Sequence, residues 1–191
     1  MNFDLVIGIL NIVLISTTPL VFAGIGELVT EKSGVLNLGL EGLMLVGAVS
    51  GFISLVITGN YFYSFIISIL SGVILSGIFA FFVLRLLTNQ IATGLALTIF
   101  GIGLSAMLGK KFSGTPINGL NPYYLIISSF MLVYFINYLL YKTKVGLVIR
   151  AVGENHHSAY ALGYDVIKTR YLTIIFGGVM SSLAGFYISV C

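Results

Sequence analysis

Charge is what this 191-residue chain has least of: Asp, Glu, Lys and Arg make up 8% of it, against about 25% in an ordinary soluble domain. So few charges cannot cover a water-facing surface of this size, which excludes a soluble globular class. Cysteine occurs once, at Cys191, so no disulfide can form within the chain and the redox compartment stays unread. Lys and Arg are missing from the first 26 residues. Without a basic n-region, and with an apolar run long enough to stay in a bilayer, this start reads as a retained helix rather than a cleaved leader. What is present is apolar: 58% hydrophobic residues and a mean hydropathy of +1.10. The net charge of +3 and pI near 9.0 do not point to nucleic acid, because the cations sit at the ends of apolar runs. The chain reads as an integral membrane protein.

About 20 mostly apolar residues are needed to cross a ~30 Å hydrocarbon core as a helix. Six segments qualify: Phe3 to Gly26, closed by an acidic turn from Glu27 to Lys32; Gly34 to Thr58; Tyr61 to Leu84; Ile91 to Gly109; Tyr123 to Tyr141; and Tyr171 to Cys191. The Gly59-Asn60 turn dipeptide splits an otherwise uncharged run. The expected fold class is all-α, a polytopic membrane helix bundle forming one domain over residues 1–191. Placing Lys142 to Arg170 in the cytoplasm puts seven cations inside and leaves only Lys110 and Lys111 outside. The opposite topology reverses that bias. The sixth span stops at the last residue with no flanking polar anchor, so further C-terminal spans are expected beyond this chain.

Small residues recur every four positions: Ser64, Ser68, Gly72, Ser76 and Ala80 in the third span, and Gly177, Ser181 and Gly185 in the sixth. Such stripes let backbones approach closely. The pattern alone does not separate tight packing from a sliding face. Pro19, after Ser16, Thr17 and Thr18, is expected to kink the first helix, with the hydroxyls serving the freed carbonyls.

Glu41 stands inside the second span, where a carboxylate is costly and faces protein or water. A regular helix would put Asn37 and Glu41 on one face, but Gly34, Gly39 and Gly42 surround them. A broken helix lining a cavity is therefore a second possibility. Asn37 and Glu41 are read either as a structural knot or as part of a translocation pathway. Asn89, Gln90 and Thr93 form a second polar group, read as helix capping or as further pathway lining. His156 and His157 are neighbours in sequence and point about 100° apart on a helix. With no third ligand nearby, no metal site is expected.

The one long polar interval, Lys142 to Arg170, holds five of the nine Lys and Arg residues and both histidines. Asn155 is suited to cap a short helix from His156 to Leu162, ended by Gly163. Two turns are too short to be stable alone. Tyr160 and Leu162 would give them an apolar surface fit for another protein's groove.

Three stretches carry a resemblance: Glu31 to Met44 (EKSGVLNLGLEGLM), Asn89 to Leu97 (NQIATGLAL), and Arg150 to Asn155 (RAVGEN) continuing to Ala159 and Gly163. With them the chain resembles the membrane permeases of ATP-binding-cassette importers for ribose, branched-chain amino acids, and nucleosides or simple sugars. The first stretch is closest to the shorter nucleoside or simple-sugar permeases. The resemblance implies a transport subunit without catalytic residues or a cofactor of its own, since ATP is bound by a cytoplasmic ATPase subunit. It implies three partners: that ATPase, a second permease (identical or homologous), and an extracytoplasmic solute-binding protein. The expected location is a bacterial cytoplasmic membrane. Gly153, Glu154, Asn155, Ala159 and Gly163 would form the segment coupled to the ATPase. Members usually carry a proline where this chain has His156, and run longer, with further spans. The rival classes are a branched-chain amino acid permease and an ion-coupled secondary transporter.

Overall fold

The computed structural model describes residues 3–191. Asp4, the single charged side chain at the N-terminal end, lies outside the described side chains. Eight helices follow one another: α1 (Phe3–Lys32), α2 (Leu40–Thr58), α3 (Tyr61–Leu84), α4 (Gln90–Gly109), α5 (Tyr123–Lys142), α6 (Lys144–Glu154), α7 (His156–Ala161) and α8 (Val166–Val190). Six of them, all but α6 and α7, are long and apolar enough to cross a membrane. The all-α, six-span expectation therefore holds.

The boundaries follow local chemistry. Gly59 closes α2 in the left-handed region, at φ +64°, and the Asn60 side chain accepts from Phe62 N at 2.9 Å to open α3. The Asn89 side chain accepts from the backbone N–H groups of Ile91 and Ala92 at 2.9 and 3.2 Å, opening α4. Its capping reading is thus what the structure displays.

Three boundaries differ from expectation. The acidic stretch Glu27 to Lys32 is not a turn but the last turns of α1. Glutamate is a good helix former, and Glu27 finds a partner inside the protein. The second helix starts at Leu40, not Gly34. Residues 33–39 leave the helix because Gly34 takes φ +83° and Asn37 Oδ1 accepts from Gly39 N at 2.9 Å in a local turn, a conformation that competes with helix. Asn37 and Glu41 consequently do not share a helical face. The last helix begins at Val166, five residues before the predicted Tyr171, since Asp165 accepts from Lys168 N at 2.9 Å as its N-cap. At Pro19, α1 continues. Thr17 and Thr18 donate to Val13 and Leu14 carbonyls at 2.8 and 2.7 Å, not to the Ile15 carbonyl that proline deprives of its donor.

The centre of the bundle is α8, packed on α1, α2 and α3. The small-residue stripes lie at these contacts: Ser64, Ser68, Ser76, Ala80, Ser181 and Ser182 are completely buried. A Cβ placed on Gly47 or Gly72 would overlap Ser182, and one on Gly101 would overlap Gly42. Ser68 Oγ donates to Ser182 O at 3.0 Å and Ser64 Oγ to Gly51 O at 2.5 Å. Close backbone approach and hydrogen bonds between helices replace the hydrophobic drive that lipid cannot supply. The stripes are tight packing surfaces.

Helix α5 packs on α1 and α6. At one end of the bundle, Leu120 N donates to Val190 O at 2.8 Å and Tyr61 Oη donates to the Asn118 carbonyl. The other end gathers residues 33–39, the start of α4, α6, α7 and the start of α8. Six alternating crossings put Lys110 and Lys111 at the first end and the other seven cations at the second. In a Cys191→Ser background, single cysteines at Thr115 and Tyr160 are expected to react with a membrane-impermeant maleimide from opposite sides. Labelling of both from one side would contradict the six-crossing topology.

Candidate coupling segment and buried polar junction

The polar interval 142–170 is not a loop with one short helix; it holds two helices and the first turns of α8. The helix absent from the sequence expectation, α6, was readable. Thr143 Oγ1 accepts from Gly146 N at 3.2 Å as its cap, and Val145, Val148, Ile149 and Val152 recur at helical spacing. Ile149 and Val152 are buried. Arg150 lays its guanidinium over the Tyr141 ring, 5.0 Å from the centroid, a cation–π contact.

Helix α7 forms where expected. Asn155 Oδ1 accepts from Ser158 N at 3.1 Å. At the other end Gly163, at φ +86°, donates to Tyr160 O at 2.9 Å, and Tyr164 N donates to Ala159 O at 3.1 Å. This pair of bonds is a Schellman motif, for which glycine is the favoured residue because it carries no Cβ. Around so short a helix the caps are a large part of its stability.

The five residues assigned to coupling divide by placement. Glu154, Asn155 and Gly163 are exposed. Gly153 is pressed against the Lys32 carbonyl, which a Cβ would overlap. Ala159 is 1% exposed and turns into the protein, whereas Tyr160 and Leu162 are each 75% exposed. The outward apolar pair is therefore Tyr160 and Leu162, beside Glu154. The His156 and His157 rings lie 4.1 Å apart rather than diverging, because exposed side chains on a first helical turn are free to swing together. Among the described residues no group of three metal-ligating side chains forms.

The pathway candidates also divide. Asn37 is 1% exposed; its N–H donates to Glu27 Oε1 at 3.0 Å. Gln90 Oε1 accepts from Leu36 N at 2.9 Å, tying the 33–39 segment to α4. Thr93 Oγ1 donates to Asn89 O at 2.8 Å and lies 2.9 Å from Thr88 Oγ1. These four residues hold backbone in place. Glu41, in the first turn of α2, is exposed.

Sequence reasoning missed a buried junction. Arg170 Nε donates to Ser33 O at 3.1 Å, and Thr173 Oγ1 to Ser33 Oγ at 2.8 Å. Ser33 Oγ in turn donates to Thr30 O at 2.7 Å, and Thr30 Oγ1 to Thr173 O at 3.1 Å. Thr30, Ser33 and Thr173 are at most 3% exposed. The partners are about 140 residues apart in sequence, and no local pattern marks them.

The sequence is similar to those of known proteins. Over residues 9–190 the chain matches the family described as branched-chain amino acid transport system / permease component. A putative glucose ABC transporter permease of Haloferax volcanii is 35% identical over 96% of this chain and 63% of its own length. A guanosine ABC transporter permease of Bacillus subtilis is 27% identical over 94% of this chain and 67% of its own. A nucleoside ABC transporter permease of Lactococcus lactis is 30% identical over 90% of this chain and 64% of its own. The chain thus spans about two thirds of the length of these relatives. No solved structure matches it. With a match over nearly all of its length and six apolar helices behind it, the chain is a multi-pass membrane protein and a member of the branched-chain amino acid transport system permease family, a family of transporter membrane components rather than enzymes.

Proposed function

We propose that this chain forms the membrane-spanning path of an ATP-driven importer of nucleosides or simple sugars, docked through α6 and α7 onto a cytoplasmic ATPase subunit. The observation that carries the reading is the outward pair Tyr160 and Leu162. They stand at the cation-rich end of the bundle, on a helix too short to persist alone and fastened at both ends by caps. Such a helix presents a preformed apolar knob to a groove. Supporting the substrate class, the three relatives are named as a putative glucose permease, a guanosine permease and a nucleoside permease. A branched-chain amino acid remains the rival solute, since the family description carries it.

In this reading ATP is bound by the partner, and the chain has no cofactor of its own. A second permease, identical or homologous, faces it across the path, and a solute-binding protein delivers the solute from outside. The location is a bacterial cytoplasmic membrane, a reading supported by the bacterial source of two of the three relatives. Glu154, Asn155 and Gly163 meet the ATPase, while Gly153 and Ala159 seat the segment on the bundle. Glu41 faces the path, and Asn37, Asn89, Gln90 and Thr93 shape the backbone behind it. An ion-coupled carrier is less favoured, because Glu41 sits in the first turn of α2, away from the midplane where such carriers place their sites.

The test is uptake by vesicles holding the full-length permease with its ATPase and binding protein. Accumulation of a nucleoside or sugar is expected to follow ATP and to ignore an imposed ion gradient. A Gly163→Val variant forces a branched residue into the left-handed region, a strain of about 1–2 kcal/mol. It is expected to lose ATP-driven uptake while still inserting. Uptake that tracks the ion gradient would overturn the importer reading.

A further inference from the structure

We propose that Arg170 and Thr173 are positioning residues that clamp the first turns of α8 to Ser33, so that α1, α8 and segment 33–39 move as one body when the coupling segment moves. The proposal rests on the docking role just assigned to α6 and α7.

Segment 33–39 has no helix of its own, yet it is fastened nearly residue by residue to different elements. Ser33 is held from α8 by Arg170 and Thr173 at 3.1 and 2.8 Å. Gly34 lies against Gly153 at the end of α6, and the Gly153 Cα faces the Lys32 carbonyl closely. Leu36 N donates to Gln90 of α4 at 2.9 Å, and Asn37 N donates to Glu27 of α1 at 3.0 Å. Leu38 O accepts from Thr98 Oγ1, further along α4, at 3.0 Å. Non-helical backbone within a membrane protein must have its polar groups satisfied, and here the partners come from α1, α4 and α8, of which α1 and α8 also touch the coupling segment.

The other route, side-chain packing between α6 and α8, is thin. Ile149 and Phe176 share one apolar cluster, but an open apolar groove of about 310 Å³ is lined by Val145 and Val148 of α6 and by Thr169 and Leu172 of α8. The firm joint between them is the turn at Ser33 and Gly34. Helix α7 leads straight into α8, so a push on α7 reaches Arg170 within three turns of helix. From there the Ser33 clamp turns an axial displacement of α8 into movement of segment 33–39, and Gln90 and Thr98 pass it to α4. Burial strengthens these bonds, because water does not compete for the Ser33 and Thr173 hydroxyls.

The experiment uses the full-length permease, ATPase and binding protein in vesicles, and reads ATP hydrolysed per solute accumulated. Arg170→Gln is expected to raise that ratio about tenfold, the factor for one lost hydrogen bond to a charged donor, and Thr173→Val about two- to fivefold. Arg170→Lys, which keeps a donor, is expected to recover part of the loss. Copurification of the ATPase is expected to stay at the wild-type level, which a general folding defect would not allow. A second measurement is independent of these variants' stability. Ser33→Cys with Thr173→Cys, in a Cys191→Ser background, replaces the hydroxyl pair by a disulfide. Oxidation is expected to leave ATP-driven uptake intact, because a body that moves as a unit tolerates being locked. Uptake that stops on oxidation and returns on reduction would show that the joint opens in the cycle and would overturn the proposal, as would an unchanged ratio in Arg170→Gln and Thr173→Val. Failure of wild-type uptake to follow ATP would instead bring down the importer reading beneath it.

Discussion

A Gly185→Val substitution is expected to remove most folded protein from the membrane. Gly185 lies in α8, the helix at the centre of the bundle, and a Cβ there would overlap the Met44 carbonyl oxygen and crowd Ala48 N. Both obstacles are backbone atoms of α2, so no rotamer change relieves them; the helices must separate. That separation reaches every close approach along the same seam, at Gly47 with Ser182 and at Gly51 with Phe186. A gap of 0.5–1 Å already forfeits about a quarter to a half of a dispersion contact, and overpacking of this kind costs about 3 kcal/mol or more. Around 190 residues, that corresponds to a fall in melting temperature of about 6–12 °C. Size-exclusion recovery after heating in detergent reads it directly. Gly77→Ala in α3 is the matched control: no atom lies within 4 Å of its Cβ position, and alanine is the better helix former by about 1 kcal/mol. A Gly185→Val protein that melts with the control would refute the α2–α8 contact.

The same seam marks how far the chain can be read without coordinates. The four-residue spacing of Ser64, Ser68, Gly72, Ser76 and Ala80 announced a packing face, and all five are buried. Periodicity reports which face of a helix is special; it does not name the partner, and α8 as the shared centre came only from the structure. Caps were legible at Asn89 and Asn155 but were passed over at Thr143 and Asp165, although a single side chain makes each of them. Asn60, Asn89 and Asn155 each accept from the backbone two or three residues ahead, a relation that lies within one short stretch of sequence. Segment 33–39 resisted because its conformation depends on distant groups. Asn37 and Glu41 look like helical neighbours until Gln90, Thr98 and Arg170 claim the backbone around Asn37. The α6 helix was passed over for a different reason. Its charged residues made the interval look like a loop, although Val145, Val148, Ile149 and Val152 already carried the amphipathic spacing.

Tyr160→Asp combined with Leu162→Asp is expected to release the ATPase without unfolding the permease. Each of the two side chains is 75% exposed, so the free chain gains little from them, and surface changes of this sort move stability by about 0.5 kcal/mol or less. Seated in a partner groove, each would contribute about 1.5–3 kcal/mol through burial. Losing both weakens association at least a hundredfold, at about 1.4 kcal/mol per factor of ten, and the new carboxylates add desolvation on top. The caps at Asn155 and Gly163 are untouched, so α7 keeps its shape and only its outward face changes. Ala159→Leu tests the opposite side of the same helix. Ala159 is buried, and a larger side chain there unseats α7 from the bundle, lowering the melting temperature as well as ATPase retention. Copurification of the ATPase and thermal melting, measured on both variants, separate the two faces. An ATPase retained at wild-type level by the double aspartate variant, with the melting temperature unchanged, would mean that the partner grips some other surface and that the exposed pair is not its handle.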